Sequence, residues 1–315
     1  MSKKRKNSFN PAVQQQETGY HIPVLLHECI EALNIKPNGI YVDATFGGGG
    51  HSKAIMNCLG TDGILIGFDQ DADAQQNAID DKRFLLIAQN FRHLKRFLRA
   101  EGIKEVDGIL ADLGVSSYQF DTAERGFSYR FEGPLDMRMN VNAGKSAADV
   151  LNKYSANDLQ KMFGEYGEVR NAKTLAEKIV EMRIQQPFTT IGELIAVCES
   201  VMKGERHRYL AQVFQALRIE VNDELGALQD MLQQSAAVLK PEGVLAVITF
   251  HSLEDRLVKN FMRSGTFDDE YVKDDFGNIQ RPFVLKNKKP IEAQQEELSK
   301  NKRAHSAKLR VAIKK

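Results

Sequence analysis

At 315 residues the chain exceeds what one hydrophobic core usually supports, so a large domain with a smaller companion is expected. An apolar fraction of 42% and a charged fraction of 27% suit a soluble globular protein, and no apolar run approaches a membrane span, which argues against a membrane partner. The net charge of +1 argues against a uniformly basic or acidic chain, but ten Lys or Arg stand against three Glu from Lys286 to Lys315, and Lys3, Lys4, Arg5 and Lys6 open the sequence.

Residues 1 to 18 are polar, Gln-rich and aperiodic, which reads as a disordered tail. No apolar stretch follows the opening basic cluster, so no secretory signal is expected. A helix over Val24 to Leu33 leads into a short apolar strand, Gly39 to Ala44, which runs directly into the loop Gly47, Gly48, Gly49 and Gly50. A helix over His51 to Leu59 follows, then a strand from Gly63 to Phe68 ending on Asp69. Helix-compatible sequence from Asp73 to Ile79 precedes a third strand, Phe84 to Ile87, and a fourth runs from Gly108 to Ala111 and ends on Asp112. Strands and helices alternating at this spacing predict an α/β fold with a mostly parallel sheet, whose ligands sit beyond the carboxyl ends of the strands.

More than a hundred residues separate the fourth strand from the fifth, Val244 to Phe250, where a single crossover needs about a dozen. From Ser146 to Met202 the pattern is helical, with capping signatures at Ser155 with Asp158 and Thr190 with Glu193, and a break at Pro187. This predicts an inserted all-helical domain, whose ten basic and nine acidic residues from Lys145 to Gln215 give no charge-based reason to bind RNA. A helix over Leu225 to Leu239 and a turn at Lys240-Pro241-Glu242-Gly243 introduce the fifth strand. The basic C-terminal run reads either as a phosphate-binding surface or as a solvated tail, and charge alone favours the tail. Cys29, Cys58 and Cys198 are scattered, without metal-ligand spacing, which fits a reducing cytoplasm and no metal.

A glycine turn between strand and helix suits any nucleotide-like ligand that approaches the backbone. Here Asp43 stands four residues before Gly47 and the loop holds no Lys or Arg, so a pyrophosphate would meet a carboxylate where it needs donors. S-adenosylmethionine carries an ammonium and a sulfonium instead, and an acidic rim favours both. Asp69 is placed to accept ribose hydroxyls, Phe91 to pack on adenine, and Asp112 to reach the adenosine amine or the methionine end. Each acid taken singly also suits a helix cap or a solvated turn. For transfer to a weakly nucleophilic amine, acceptors near its hydrogens would help; the candidates are Asp112, the backbone around Gly114, Val115 and Ser116, and the step His251-Ser252. His251 also reads as a satisfied histidine at a strand end.

The blocks His21-Ile22-Pro23-Val24-Leu25-Leu26, Val42-Asp43-Ala44-Thr45-Phe46-Gly47, Gly49-Gly50-His51-Ser52, Asp107 to Ser117, Gly133 to Met139, Phe214 to Ile219, Phe250 to Arg256 and Ser306 to Arg310 resemble the signature set of bacterial 16S ribosomal RNA cytosine-N4 methyltransferases. The resemblance runs in order over nearly the whole chain. It implies a class I, Rossmann-like methyltransferase that uses S-adenosylmethionine to methylate N4 of a cytidine in the decoding centre of 16S ribosomal RNA, within the small ribosomal subunit and in the cytoplasm. It also implies cofactor contacts at Gly49, Gly50, His51, Asp69, Phe91, Asp112 and Gln119, to which the residue-level reading adds Asp43 and Gly47. Proposed catalytic residues are Asp112, Ser116 and His251. The sequence departs from the family pattern at Gly48, where Arg is usual, after the second strand, where Gln70, Asp71 and Ala72 stand in place of the usual Arg, Asp and Pro, at Tyr118 in place of Pro, and across Glu205 to Tyr209.

The expected organisation is a tail at 1–18, methyltransferase segments at 19–124 and 209–284, a helical insert at 125–208 positioning RNA, and a basic C-terminal segment at 285–315. Two alternatives stand beside it: a nicotinamide-dependent oxidoreductase, and a non-catalytic RNA-binding assembly factor that acts through the C-terminal segment. A homodimer is compatible with the chain, although no residue specifies one.

Overall fold

A computed structural model describes residues 23–142, 144–271, 273–277 and 280–315; the expected tail at 1–18 and the His21-Ile22 pair lie outside the described residues. In chain order come α1 (Leu26–Leu33), β1 (Ile40–Asp43), α2 (Gly50–Cys58), β2 (Ile64–Phe68), β3 (Phe84–Ile87), α3 (Leu94–Ala100), β4 (Val106–Asp112) and α4 (Ser117–Asp121). Then follow α5 (Ala147–Lys153), α6 (Ala156–Gly167), α7 (Ala172–Gln185), α8 (Ile191–Val201), α9 (Arg206–Asn222) and α10 (Glu224–Val238). β5 (Leu239–Thr249), α11 (Ser252–Ser264), β6 (Phe283–Leu285), α12 (Gln295–Lys300) and β7 (Lys308–Lys314) complete the chain.

The strands form one sheet in the order β3-β2-β1-β4-β5-β7-β6. From β3 to β5 every pairing is parallel, and β7 runs antiparallel to both β5 and β6. The fold class is the class I, Rossmann-like one, with helices covering both faces. Covered faces explain the nearly continuous apolar sequence of β4, where Val106 to Ala111 are all buried. Chain order reverses between β1 and β4, and this switch point opens the crevice beyond their carboxyl ends.

All five expected strands are present. The Lys240-Pro241-Glu242-Gly243 turn is absorbed into β5 as an irregularity, with Glu242 at φ 66° and the register shifting between the Val106 and Gly108 pairings. The expected helix at Asp73 to Ile79 is only a 3-10 turn, Ala72–Asn77.

The C-terminal segment is a correction to the tail reading. β7 lies inside the sheet with Leu309, Val311 and Ala312 at most 1% exposed, and Arg310 forms a bidentate pair with Asp255 at 2.7 and 2.9 Å. Glu297 on α12 accepts a hydrogen bond from the Leu25 amide at 2.9 Å, tying the end of the chain to its beginning. Lys308, Arg310 and Lys314 mask a strand whose register with β5 becomes visible only in three dimensions. Deleting residues 308–315 is expected to remove about 3–6 kcal/mol of burial from Leu309 and Val311 alone and to bare the edge of β5. Thermal melting should then show loss of the cooperative transition; an unchanged midpoint would contradict the assignment.

The helical insert has its own core, from Phe127 to Leu217. Ser155 and Thr190 cap α6 and α8 as expected, and Pro187 lies in the break between α7 and α8. The core overshoots residue 208, because Tyr209, Leu210, Val213, Phe214 and Leu217 give α9 a face buried in the insert. Asn222 at its end joins the insert to the cleft, receiving the Met139 amide at 2.8 Å and donating to the Met137 carbonyl at 2.8 Å.

Candidate active site

At the switch point lies a cleft of about 590 Å³. Its floor is the glycine loop, which must turn sharply from β1 into α2. Gly47 at φ 50° and Gly49 at φ 74° occupy the left-handed region, where a side chain strains the backbone. A Cβ on Gly50 would stand 2.3 Å from Pro23 Cγ, so the loop is also held from outside.

Two carboxylates define the cleft. Asp69, just past β2, accepts the Gly47 amide at 2.8 Å on one oxygen and the Asp71 amide at 2.9 Å on the other, so it pins the glycine loop while facing the cavity. Burial pushes its carboxyl up to about 6, although these two amides pull the other way. Asp112, the last residue of β4, is held by its own amide, which donates to Thr45 Oγ1 at 2.6 Å. Its Oδ1 is sealed from solvent and has no hydrogen-bond partner, while the side chain as a whole keeps 25% of its surface open. Burial raises this carboxyl to about 6 as well, opposed by His51 and reinforced by Asp43. An orphaned acceptor in such a place is costly in the free protein, so this carboxylate is kept at the cleft at the expense of stability.

His51 sits on the first turn of α2 with Nε2 3.1 Å from the Val24 carbonyl, an acceptor that assigns the proton to Nε2, and with Nδ1 3.8 Å from Asp112 Oδ2. Gln119 is buried; it closes a capping box with Ser116 and donates to Asp71 at 2.6 Å. Ser116 lines the cleft, but its hydroxyl already accepts the Gln119 amide. Phe91 also lines the wall, after β3.

Thus Gly47, Gly50, His51, Asp69, Phe91, Asp112, Ser116 and Gln119 converge on one cavity. Three expected residues do not. Asp43 is 1% exposed behind the loop, where it accepts Thr45 N at 3.1 Å and Ser52 Oγ at 2.7 Å, so it clasps the turn rather than the ligand. Gly49 shapes the turn from outside the lining. His251 caps α11 through its Nδ1, and its Nε2 lies 3.2 Å from Glu254 Oε1. Burial raises the Glu254 carboxyl, but His251 and Arg218 outweigh it and hold it below the usual range. Arg218, in turn, is committed to Glu224 by two bonds of 2.8 and 3.0 Å, not to the cleft.

Sequence reasoning missed Asp71, Arg125, Met139 and Arg303. Arg125 is buried and bonds Asp71 at 2.8 Å, Asp73 at 2.9 Å, and the carbonyls of Arg138 and Met139 at 3.1 Å, joining the wall of the cleft that follows β2 to the insert. Asp71 stands between Gln70 and Ala72 in a turn without periodicity, so no local signal separates it from a solvated acid. Arg303 reaches the cleft only because β7 enters the sheet, so no local signal marks it.

The cleft fits the expected methyl donor. Its acidic walls suit an ammonium and a sulfonium, its glycine floor admits close approach, and the loop offers no cation for a pyrophosphate.

Comparison with known proteins agrees with this geometry. The profile of the MraW methylase family matches residues 18–315. A protein from Bacteroides fragilis (strain YCH46) is 53% identical over 96% of this chain and 100% of its own length. Others from Cytophaga hutchinsonii, 54% identical over 93% of this chain and 99% of their own, and from Flavobacterium johnsoniae, 53% identical over 94% and 98%, are similar to it as well. All three carry the name ribosomal RNA small subunit methyltransferase H.

Proposed function

The chain belongs to the MraW methylase family, and from that premise we propose that it transfers a methyl group from S-adenosylmethionine to N4 of a cytidine in the decoding centre of 16S ribosomal RNA. The observation that carries the reading is that Asp69 and Asp112, each at the end of a parallel strand, line one cleft over the glycine floor, the first tied to the loop by the Gly47 amide. The small ribosomal subunit in the cytoplasm is the proposed setting, and a homodimer the proposed assembly. Among the described residues no helix is long and apolar enough to cross a membrane.

When bound, S-adenosylmethionine supplies an electrophilic methyl group. Asp69 would accept the ribose hydroxyls, Gly47 and Gly50 would let the backbone close on the ligand, and Phe91 would cover the base. An exocyclic amine has its lone pair conjugated into the ring, so an acceptor on its hydrogens strengthens it as a nucleophile. Asp112 is that acceptor: the part of its carboxylate that stays open to the cleft would hold the amine proton and take it as the new bond forms, a role for which a carboxyl titrating near 6 is suited. Gly114, Val115 and Ser116 form the wall against which the cytosine ring is aligned.

Incubation with labelled donor and small subunits from cells lacking the enzyme should yield labelled N4-methylcytidine after digestion to nucleosides; no such label would sink the assignment. The pH profile follows from the same carboxylates. Asp112 must be ionised to take a proton and Asp69 to accept at both oxygens, so the initial rate should fall as pH drops through about 6, and a flat profile between about pH 5 and 7 would contradict the roles given. Stability runs the opposite way. A carboxyl raised from 3.8 to about 6 contributes stability that is full below 3.8 and lost as pH rises through 6, so the ligand-free chain bears this cost at neutral pH.

A further inference from the structure

The rim of the cleft carries an unusual set of side chains. Tyr118 is 58% exposed and Phe131 38%, although rings of this size are ordinarily covered. Between them two guanidinium groups meet one ring, with Arg130 at 4.8 Å and Arg303 at 5.5 Å from the centroid of Phe120. Arg130 also lies 5.5 Å from the Phe131 ring and pairs with Asp121 at 3.1 Å. Arg303 donates to Ser117 Oγ at 2.6 Å and feels the carboxylates of Asp121 and Asp112 without a direct ion pair to either. Tyr118, Asp121 and Arg303 line the same cavity as Asp112, so the rim is continuous with the catalytic cleft.

We propose that this rim is a platform for the single-stranded RNA on either side of the target cytidine, with Tyr118 stacking on a neighbouring base and Arg130 and Arg303 holding phosphates. The inference rests on the RNA-methylation reading and adds the surface that grips the substrate. Exposed ring faces recognise bases only where these are unpaired, and an amine paired within a duplex could not enter the cleft to reach Asp112. Guanidinium groups braced on an aromatic ring are pre-oriented for phosphate oxygens, so little side-chain freedom is lost on binding. Beyond Arg130, the helical insert from Lys145 to Gln215 has balanced charge and offers no comparable electrostatic attraction.

The test uses the full chain and a labelled single-stranded RNA of about ten nucleotides containing one cytidine, with a duplex of the same sequence as comparison. Fluorescence anisotropy over a salt series should show preference for the single strand. The double variant Arg130→Gln with Arg303→Gln should lose about tenfold in affinity and flatten the logarithmic salt slope by about 1.4, the value for two phosphate contacts to a single strand. Tyr118→Ala should lose about tenfold, with Tyr118→Phe restoring most of it. Melting curves verify that each variant is folded. Absence of binding by the parent chain, preference for duplex, or variants with unchanged affinity and slope would overturn the platform. If subunits are methylated while the variants bind like the parent, only the platform fails; if no methylation occurs, the functional reading fails first.

Discussion

Replacing Asp112 by asparagine is expected to lower the rate of methyl transfer by about 10²–10⁴, the span over which a positioned proton acceptor contributes. Asparagine keeps the shape of the side chain, and the backbone amide that fixes this residue on Thr45 Oγ1 is untouched, so the cleft should hold its form. What disappears is the ability of a cleft-lining carboxylate to take a proton. Single-turnover measurements with labelled donor isolate the step from product release. The same substitution removes a buried charge whose carboxyl is raised to about 6, so at neutral pH the variant should be stabilised, by roughly 1–3 kcal/mol. A slower yet more stable protein is the signature of a group kept for chemistry rather than folding. A variant retaining the parent's rate would take Asp112 out of the proton path.

Asp69→Ala should act on binding instead, weakening S-adenosylhomocysteine by about 100-fold or more. A charge-assisted hydrogen bond contributes about 1.5–3 kcal/mol, and two ribose hydroxyls lose their acceptor together. The effect has a second source. Asp69 holds the Gly47 amide at 2.8 Å and the Asp71 amide at 2.9 Å, so its loss also loosens the glycine floor. Asp69→Asn separates the two, because one amide oxygen can keep one of these backbone contacts but cannot bring a negative charge to the ribose. Calorimetry on both variants reads the difference. Affinity equal to the parent's in the alanine variant would remove Asp69 from the pocket.

The two residues with the largest expected effects were both legible in the sequence, for a common reason. Each ends an apolar parallel strand, and the carboxyl ends of such strands point to one side of the sheet, so Asp69 and Asp112 must approach the same crevice once the strands pair in that order. His251 also follows a strand, β5, yet its ring turns back to cap α11 and meet Glu254, because a polar side chain at a helix start satisfies the local amides first. Asp43 shows the same competition: fully buried at the end of β1, it serves Thr45 and Ser52.

By itself the sequence determined the alternation of strands and helices, the place of the glycine turn, the existence of a helical insert and the residues that resemble a known family. Those features are local, set by periodicity, capping and backbone freedom within a few residues. Only the tertiary structure decided that the basic C-terminus is a buried strand rather than a tail, that α9 completes the insert's core, and that Arg125 ties the insert to the wall of the cleft. It also decided that Arg303 stands at the rim beside Ser117. These are contacts between residues up to 186 positions apart, and their energies depend on burial and pairing that arise only when the sheet closes on its last strands.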